Sequence, residues 1–229
     1  MILMDVETES ARLDAEGAIV QPWIQDPVEP LNRGSYWLTR GAVDAVGAPL
    51  AQGWNCVVPA PGRRSLNRAA RNLAFPVRLA SLLLQGRLAD CGQETGHFLV
   101  NSTLGIAGLL DPAACMGIPT YSEDVGQAFG TWGIGTGAYV FIPLLGPSSI
   151  RDGVGKAADW ALNPATYVPG LGGFLAFNSF SLNLEPYRKL TRSQRDVYAA
   201  ARTLWCVKRQ SEVDDYRIPA EAYAAADAD

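Results

Sequence analysis

Two stretches of this chain, HFLVNSTLGIAGLLD (residues 97–111) and EDVGQAFGTWGIGTGAYVFIPLLGPSSIRD (residues 123–152), are apolar and dense in glycine and proline. Neither holds the unbroken run of about 18 to 20 apolar residues that a membrane-crossing helix requires. Glycine inside a water-exposed helix costs about 1 kcal/mol relative to alanine. Such density therefore fits a setting that rewards close helix packing, or broken helices lining a polar path. The pattern predicts a chain that sits in a membrane without crossing it.

The 229 residues are long enough for one sizeable core, and charged residues make up 18% of them, below the usual quarter. Charge is also partitioned. Residues 1–21 total −4 and residues 210–229 total −5, so the body between them carries +5 within an overall −4. A mildly basic body suits an anionic lipid surface or phosphate headgroups, and lacks the clusters that nucleic acid demands. We divide the chain into a polar acidic leader (1–21), one helical domain (22–210) and an acidic, weakly ordered tail (211–229). The start, MILMDVETES, has neither a basic nor a long apolar region and does not read as a signal peptide. Either the natural start lies elsewhere or the protein is cytoplasmic.

Helical signals recur along the body. Leu66, Ala69, Ala70 and Leu73 share one face of a helix over 62–73, while Arg63, Arg64, Arg68 and Arg71 occupy others. Pro76 opens a helix through Gln85 that Gly86 ends. Leu88, Cys91, Gly92, Thr95, Phe98 and Leu99 mark one face of the next, with Asp90, Gln93, Glu94 and His97 on its polar side. Asp111 and Pro112 cap and start a short helix ending near Gly117. Ser149 with Asp152, and Ser193 with Asp196, read as capping boxes, the first opening a helix whose apolar face runs from Ile150 to Ala161. Strand signals are absent, and an all-α fold follows.

Catalytic and cofactor motifs fail on inspection. The glycines at 130, 133, 135 and 137 are spaced GxxGxGxG without a strand before them, and the segment 153–157 lacks the Ser or Thr of a phosphate loop. One histidine and four scattered cysteines, Cys56, Cys91, Cys115 and Cys206, do not make a zinc site. The cysteines allow three disulfide pairings, but we read them as small buried hydrophobes. His97 lies six residues after Cys91, which points the two side chains to different faces. It reads as a hydrogen-bonded polar-face residue, and Arg151 and Asp152 as cap and salt-bridge residues. Asn101-Ser-Thr is a formal glycosylation sequon on an apolar helix.

The two opening stretches, joined to DPVEPLNR (residues 26–33), VVPAPGR (57–63) and Gln85-Gly86, resemble the MlaA (VacJ) family of phospholipid-transport lipoproteins. The family's run is DPLE-x-FNR, VP-x-P-x-R, LQG, RFLVNSTLGIGGLFD and EDFGQTLG-x-WGVG-x-GPY-x-x-LPLLGPST-x-RD. SQRDVYAAAR (193–202) resembles its DPY-x-x-VREAY helix more loosely, and the likeness covers about residues 25–209. The chain departs in having Leu31 where Phe is usual, Ala138 where Pro is usual, Thr203 after Arg202, and no cysteine before Cys56 to serve as a lipidation site.

The resemblance implies a single ring-like helical domain lying in one leaflet, the periplasmic leaflet of a Gram-negative outer membrane, with an amphipathic central channel. It implies removal of mislocalised phospholipid from the outer leaflet and delivery to a periplasmic carrier, beside a trimeric porin. No catalysis, metal or other cofactor is required. Gly133, Gly135, Gly137 and Tyr139 fall in the expected channel region, with Asn101, Arg151 and Asp152 as polar or supporting groups. Trp37 and Leu38 fall beside the channel and suit bilayer contact or core packing. The alternative is a membrane-associated scaffold or porin-binding subunit without transport; a lipid hydrolase built on His97 is the third class.

Overall fold

The structure is a computed structural model and describes residues 24–214. The expected leader over 1–21 and the tail beyond Asp214 lie outside the described residues. Residues 211–213 belong to the final helix.

Short helices dominate, as the sequence predicts. They are α1 (Glu29–Ala42), α2 (Ala48–Val57), α3 (Ala60–Leu73), α4 (Phe75–Leu84), α5 (Leu88–Thr103), α6 (Pro112–Cys115), α7 (Val125–Thr131), α8 (Ile150–Leu162), α9 (Leu171–Leu182), α10 (Leu184–Ser193) and α11 (Val197–Val213). A π-helical turn (Val43–Gly47) joins α1 to α2, and a 3-10 turn (Pro164–Tyr167) follows α8. Proline stands in the first turn of α1, α2, α3, α4 and α6, where its missing N–H is not needed and its fixed φ suits the helix. Among the described residues no helix is long and apolar enough to cross a membrane.

The packing closes on itself. α2 packs on α9, α9 on α3, α4 on α7, α7 on α8, and β1 on α1, while chain continuity links the remaining neighbours. The result is a ring of helices completed by a small hairpin, β1 (Tyr139–Ile142) against β2 (Gly146–Ser149). That hairpin departs from the all-helical expectation in detail. A four-residue YVFI run is too short to signal a strand, and its partner GPSS has no strand-like side chains. A side chain from α1 holds it. Asn32 donates to Tyr139 O at 3.1 Å and accepts from Phe141 N at 2.9 Å, so its amide occupies the place of a third strand's peptide.

The DPVEPLNR segment thus serves as a bracket between the first helix, the hairpin and the last helix of the described chain. Asp26 accepts from Asn32 at 2.7 Å, from Arg202 at 3.0 Å and from the Tyr198 hydroxyl, and Arg33 holds Asp196 bidentately at 3.0 and 2.7 Å. Around it Tyr36, Tyr139, Phe141, Val197 and Tyr198 form the largest buried apolar cluster, with edge-to-face ring contacts. Asp196 also caps α11 by accepting from Ala199 N, while Ser193 ends α10. The second expected capping box is therefore corrected to a single Asp cap.

A second bracket is ionic. Arg209 of α11 reaches into the contact between α7 and α8 and holds Asp124 at 2.7 Å through two nitrogens and Asp152 at 2.8 and 2.9 Å. Glycine makes the approach possible, since a Cβ at Gly155 would lie 2.4 Å from the backbone nitrogen of Gly126. Burial pushes the Asp124 carboxyl up, yet the hydrogen bonds and charge of Arg209 outweigh it and hold that carboxyl below the usual range.

The cysteines are corrected in part. Cys91 and Cys206 are buried, but Cys56 and Cys115 are exposed and none is bridged. Burial pushes the Cys206 thiol up to about 11 and also raises that of Cys91.

Two outcomes follow. Arg209→Ala leaves Asp124 without its ion pair and Asp152 with Arg151 alone, and urea denaturation should show a loss of about 3 kcal/mol; Arg209→Lys should recover only part, because an ammonium cannot match both acids at once. In the folded protein at pH 8, a soluble aromatic disulfide reagent should titrate the thiols of Cys56 and Cys115 quickly, and those of Cys91 and Cys206 only after denaturation.

Candidate functional site

The amphipathic faces named from the sequence are present, but the structure turns many of them outward. The buried positions of α3 are Arg63 and Asn72, and those of α9 are Asn178 and Ser181. α5 buries Asp90, Glu94, His97 and Asn101 while Leu88 and Leu99 are exposed, and Ile150 and Val154 of α8 face outward as Arg151 and Asp152 face in. Among the described residues, 18 polar or charged side chains are buried, equal to the 18 buried apolar ones, while 28 large apolar side chains are exposed. Single exposed leucines carry no message. Grouped ones do, and here they cluster as Leu104, Ile106, Leu109 and Leu110 on one loop and as Leu83, Leu84 and Leu88 at another helix junction.

The inward polar groups fall into two networks. The first lines a cleft between α3, α4, α5 and the 118–123 segment. Glu94, wholly buried, binds Arg78 at 2.7 Å and accepts from Thr120 Oγ1 and Tyr121 N at 3.0 Å. Asn101 donates to Asp111 at 2.8 Å and accepts from Ala113 N at 3.0 Å, tying α5 to the N-terminus of α6. His97 Nδ1 donates to Ile118 O at 3.0 Å, which leaves Nε2 to accept from Asn101 at 2.9 Å. The carbonyl partner sets that tautomer, and both ring nitrogens are occupied. Arg68, Arg71 and Asn72 complete the lining on the α3 side, around a space of about 20 Å³. Arg71, Arg78 and Thr120 also border a neighbouring cavity of about 200 Å³ that reaches Tyr121 and Glu123.

The second network is the Arg209 bracket. Arg151 adds a 3.0 Å contact to Asp152, and Ser149 caps α8 by accepting from Asp152 N at 3.2 Å. Asp159 accepts from Val125 N at 3.0 Å at the start of α7. The glycine loop docks here, since Arg151 N donates to Thr136 O and Ile150 N to Ala138 O. The networks meet at α4, where Ser81 Oγ donates to Asp124 O at 2.6 Å.

The residues singled out from the sequence are thus dispersed. Asn101 belongs to the first network, and Arg151 and Asp152 to the second. Gly133, Gly135 and Gly137 lie exposed on the loop between α7 and β1, with Gly133 and Gly137 at positive φ. Tyr139 is fully buried in the aromatic cluster beneath that loop. Trp37 and Leu38, 55% and 66% exposed, stand on the outer face of α1 and outside the core. The sequon asparagine is buried and fully bonded. Sequence reading missed Arg78, Asn72 and Arg209; the arginines of α3 were the one visible signal. Among the described residues no group of His, Cys, Asp and Glu is placed to hold a metal ion.

Burial pushes the Asp159 carboxyl up to about 6, with the Val125 N–H opposing it less strongly. An acid raised above its unfolded value of about 3.9 contributes stability below that value and loses it as pH rises through 6. Asp159→Asn keeps the acceptor for Val125 N and removes the charge. Its melting temperature should exceed that of the wild type above pH 7 and converge with it below pH 4.

The family described as MlaA lipoprotein matches residues 24–212. An intermembrane phospholipid transport system lipoprotein MlaA from Shigella flexneri is 33% identical over 144 residues, 61% of this chain and 57% of that protein. The Escherichia coli K12 protein of the same name is 32% identical over 139 residues, 58% and 55% of the two chains. This chain therefore spans under two thirds of these relatives. The Haemophilus influenzae protein of that name is 25% identical over 205 residues, 84% and 81%. A solved structure from work on the structural basis for maintenance of bacterial outer membrane lipid asymmetry superposes with a TM-score of 0.72 at 24% identity, covering 82% of this chain and 99% of that one.

Proposed function

Because the chain belongs to the MlaA lipoprotein family, we propose that it is a non-enzymatic conduit that removes mislocalised phospholipid from the outer leaflet of a Gram-negative outer membrane. The observation that carries this reading is the reversal of polarity: among the described residues charged and polar side chains fill as many buried positions as apolar ones, while large leucine, isoleucine and tryptophan side chains stand exposed. In water such an arrangement is costly on both counts. In hydrocarbon both signs change, because the outer side chains meet acyl chains and the inner polar groups meet one another.

A phosphate headgroup dragged through hydrocarbon loses its hydration, at a cost of many kcal/mol. A ring with a polar interior gives the head partners while the tails stay against apolar surface. Helices too short to span then suit a protein held in one leaflet, here the periplasmic one. Trp37 and Leu38 on the outer face of α1 act as membrane contacts, and the glycine loop with Arg151 and Asp152 borders the lipid path. The partners are the phospholipid itself, a trimeric porin against the apolar exterior, and a periplasmic lipid carrier. The chemistry is transfer without bond cleavage, in keeping with an His97 whose two nitrogens are both engaged.

The test is the fraction of outer-membrane phospholipid reached by a membrane-impermeant amine reagent in cells with and without the gene. Loss of the gene should raise surface labelling and this chain should restore it. Unchanged labelling would end the transport reading in favour of a scaffold that binds a membrane partner.

A further inference from the structure

More than half of the +5 carried by the body sits on one short element. From Leu184 to Arg195 the chain places four bases, Arg188, Lys189, Arg192 and Arg195, against the single acid Glu185. α10 is amphipathic. Its Leu184 packs with Ala48 and Ala51 of α2, and the Tyr187 hydroxyl donates to Asp44 of the π-helical turn at 3.2 Å. Arg192 and Arg195 stand exposed away from that contact. The nearby acids are already taken, Glu185 by Arg188 at 3.1 Å and Asp196 by Arg33 at 2.7 Å. Among the described residues neither Arg192 nor Arg195 has a hydrogen bond or an ion pair.

An apolar surface runs beside this charged face. Leu31, Trp37 and Leu38 of α1, Val46 of the π-helical turn, and Leu50 and Val57 of α2 are each more than half exposed. Between them the other exposed positions are glycine, alanine, proline and cysteine, apart from Asp44 and Gln52. Those two polar residues are the ones that meet α10, Asp44 through Tyr187 and Gln52 through its amide against the Arg188 guanidinium. A polar seam therefore divides exposed apolar surface on one side from unpaired guanidinium groups on the other.

We propose that the exposed face of α10, centred on Arg192 and Arg195, binds the negatively charged phospholipid headgroups of the leaflet in which the α1 and α2 surface is immersed. The inference rests on the membrane placement in the conduit reading, and adds which lipids the exterior of the ring prefers and where headgroup level lies on it. An apolar surface of this extent, next to unpaired cations, calls for an occupant that is apolar and anionic in adjoining layers. A leaflet with acidic headgroups supplies both along the whole seam, and a basic amphipathic helix at its surface gains from each. Arginine suits this boundary, because its stem can lie along apolar surface while its guanidinium stays charged and pairs with phosphate oxygens. Bound in this way, α10 fixes how deep the ring sits and which way it is rolled.

The experiment measures partition of the purified full chain, diluted from detergent, onto floated vesicles of phosphatidylcholine alone or with about a quarter phosphatidylglycerol. The wild type should partition about tenfold more strongly onto the anionic vesicles, and about 0.5 M salt should remove most of that excess. Arg192→Gln with Arg195→Gln should lower anionic partition about tenfold and leave neutral partition unchanged, while Arg192→Lys with Arg195→Lys should keep most of it. Trp37→Ala with Leu50→Ala should weaken partition onto both vesicles alike. Should the glutamine pair lower the melting temperature, Arg195→Gln alone, which lies beyond the end of α10, takes its place. Equal partition of the wild type onto the two vesicles, or wild-type anionic partition in the folded glutamine variants, overturns the proposal and leaves the membrane placement intact. If the glutamine pair instead abolishes a salt-sensitive self-association of the full chain in detergent without changing vesicle partition, the face belongs to a second copy and the proposal falls. Absence of wild-type partition onto either vesicle overturns the placement as well.

Discussion

The fold depends on keeping charge inside the ring fully paired. Arg209 is the centre of that arrangement, since its guanidinium is nearly buried and, besides Glu212 of its own helix at 3.0 Å, it holds Asp124 and Asp152 from elements distant in sequence. In a medium of low polarity an isolated charge is prohibitive, while a fork that satisfies two acids at once is tolerable. The same logic recurs with Arg78 and Glu94, with Arg202 and Asp26, and with Arg63, which caps the C-terminal turn of α9 by donating to Ser181 O at 3.1 Å. Each of these arginines crosses to another element of the chain, so charged hydrogen bonds here do much of the joining that an apolar core does in a water-soluble helical protein.

That choice explains why the apolar clusters are small. The largest is an aromatic group where α1, the hairpin and α11 meet, and the others involve only a few side chains each. Apolar residues are plentiful but are deployed outward. The DPVEPLNR segment then has a mechanical reading: Asn32 and Asp26 bind the hairpin and the last helix to the first, closing the ring at the one place where the two ends of the described chain come together. In this light the family resemblance rests chiefly on residues that hold the ring together, and the lining of the cleft is shared between motif residues, His97, Asn101 and Asp111, and residues outside those motifs, Arg68, Arg71 and Asn72.

Helix positions were legible because proline, glycine and short polar caps act locally. Gly86 at φ 72°, Asp111 accepting from Ala114 N and Ser149 accepting from Asp152 N stand where their residue types demand. The hairpin was not legible, because GPSS becomes a strand only through its pairing with YVFI and through the Asn32 amide. Cys56 and Cys115 were misread for a related reason: the habit of burying small apolar residues presumes water outside.

The sequence by itself therefore determined the succession of short helices, none of them among the described residues long and apolar enough to cross a membrane, and the family, all of which depend on local backbone preferences and on ordered motifs. Which face of each helix points inward was decided only by tertiary structure. An amphipathic pattern separates two faces but is indifferent to which of them is buried, and that depends on the medium outside and on partners from far along the chain. For α3, α5 and α8 those partners are Ser181, Arg78 and Arg209, and none could be assigned until the ring had closed.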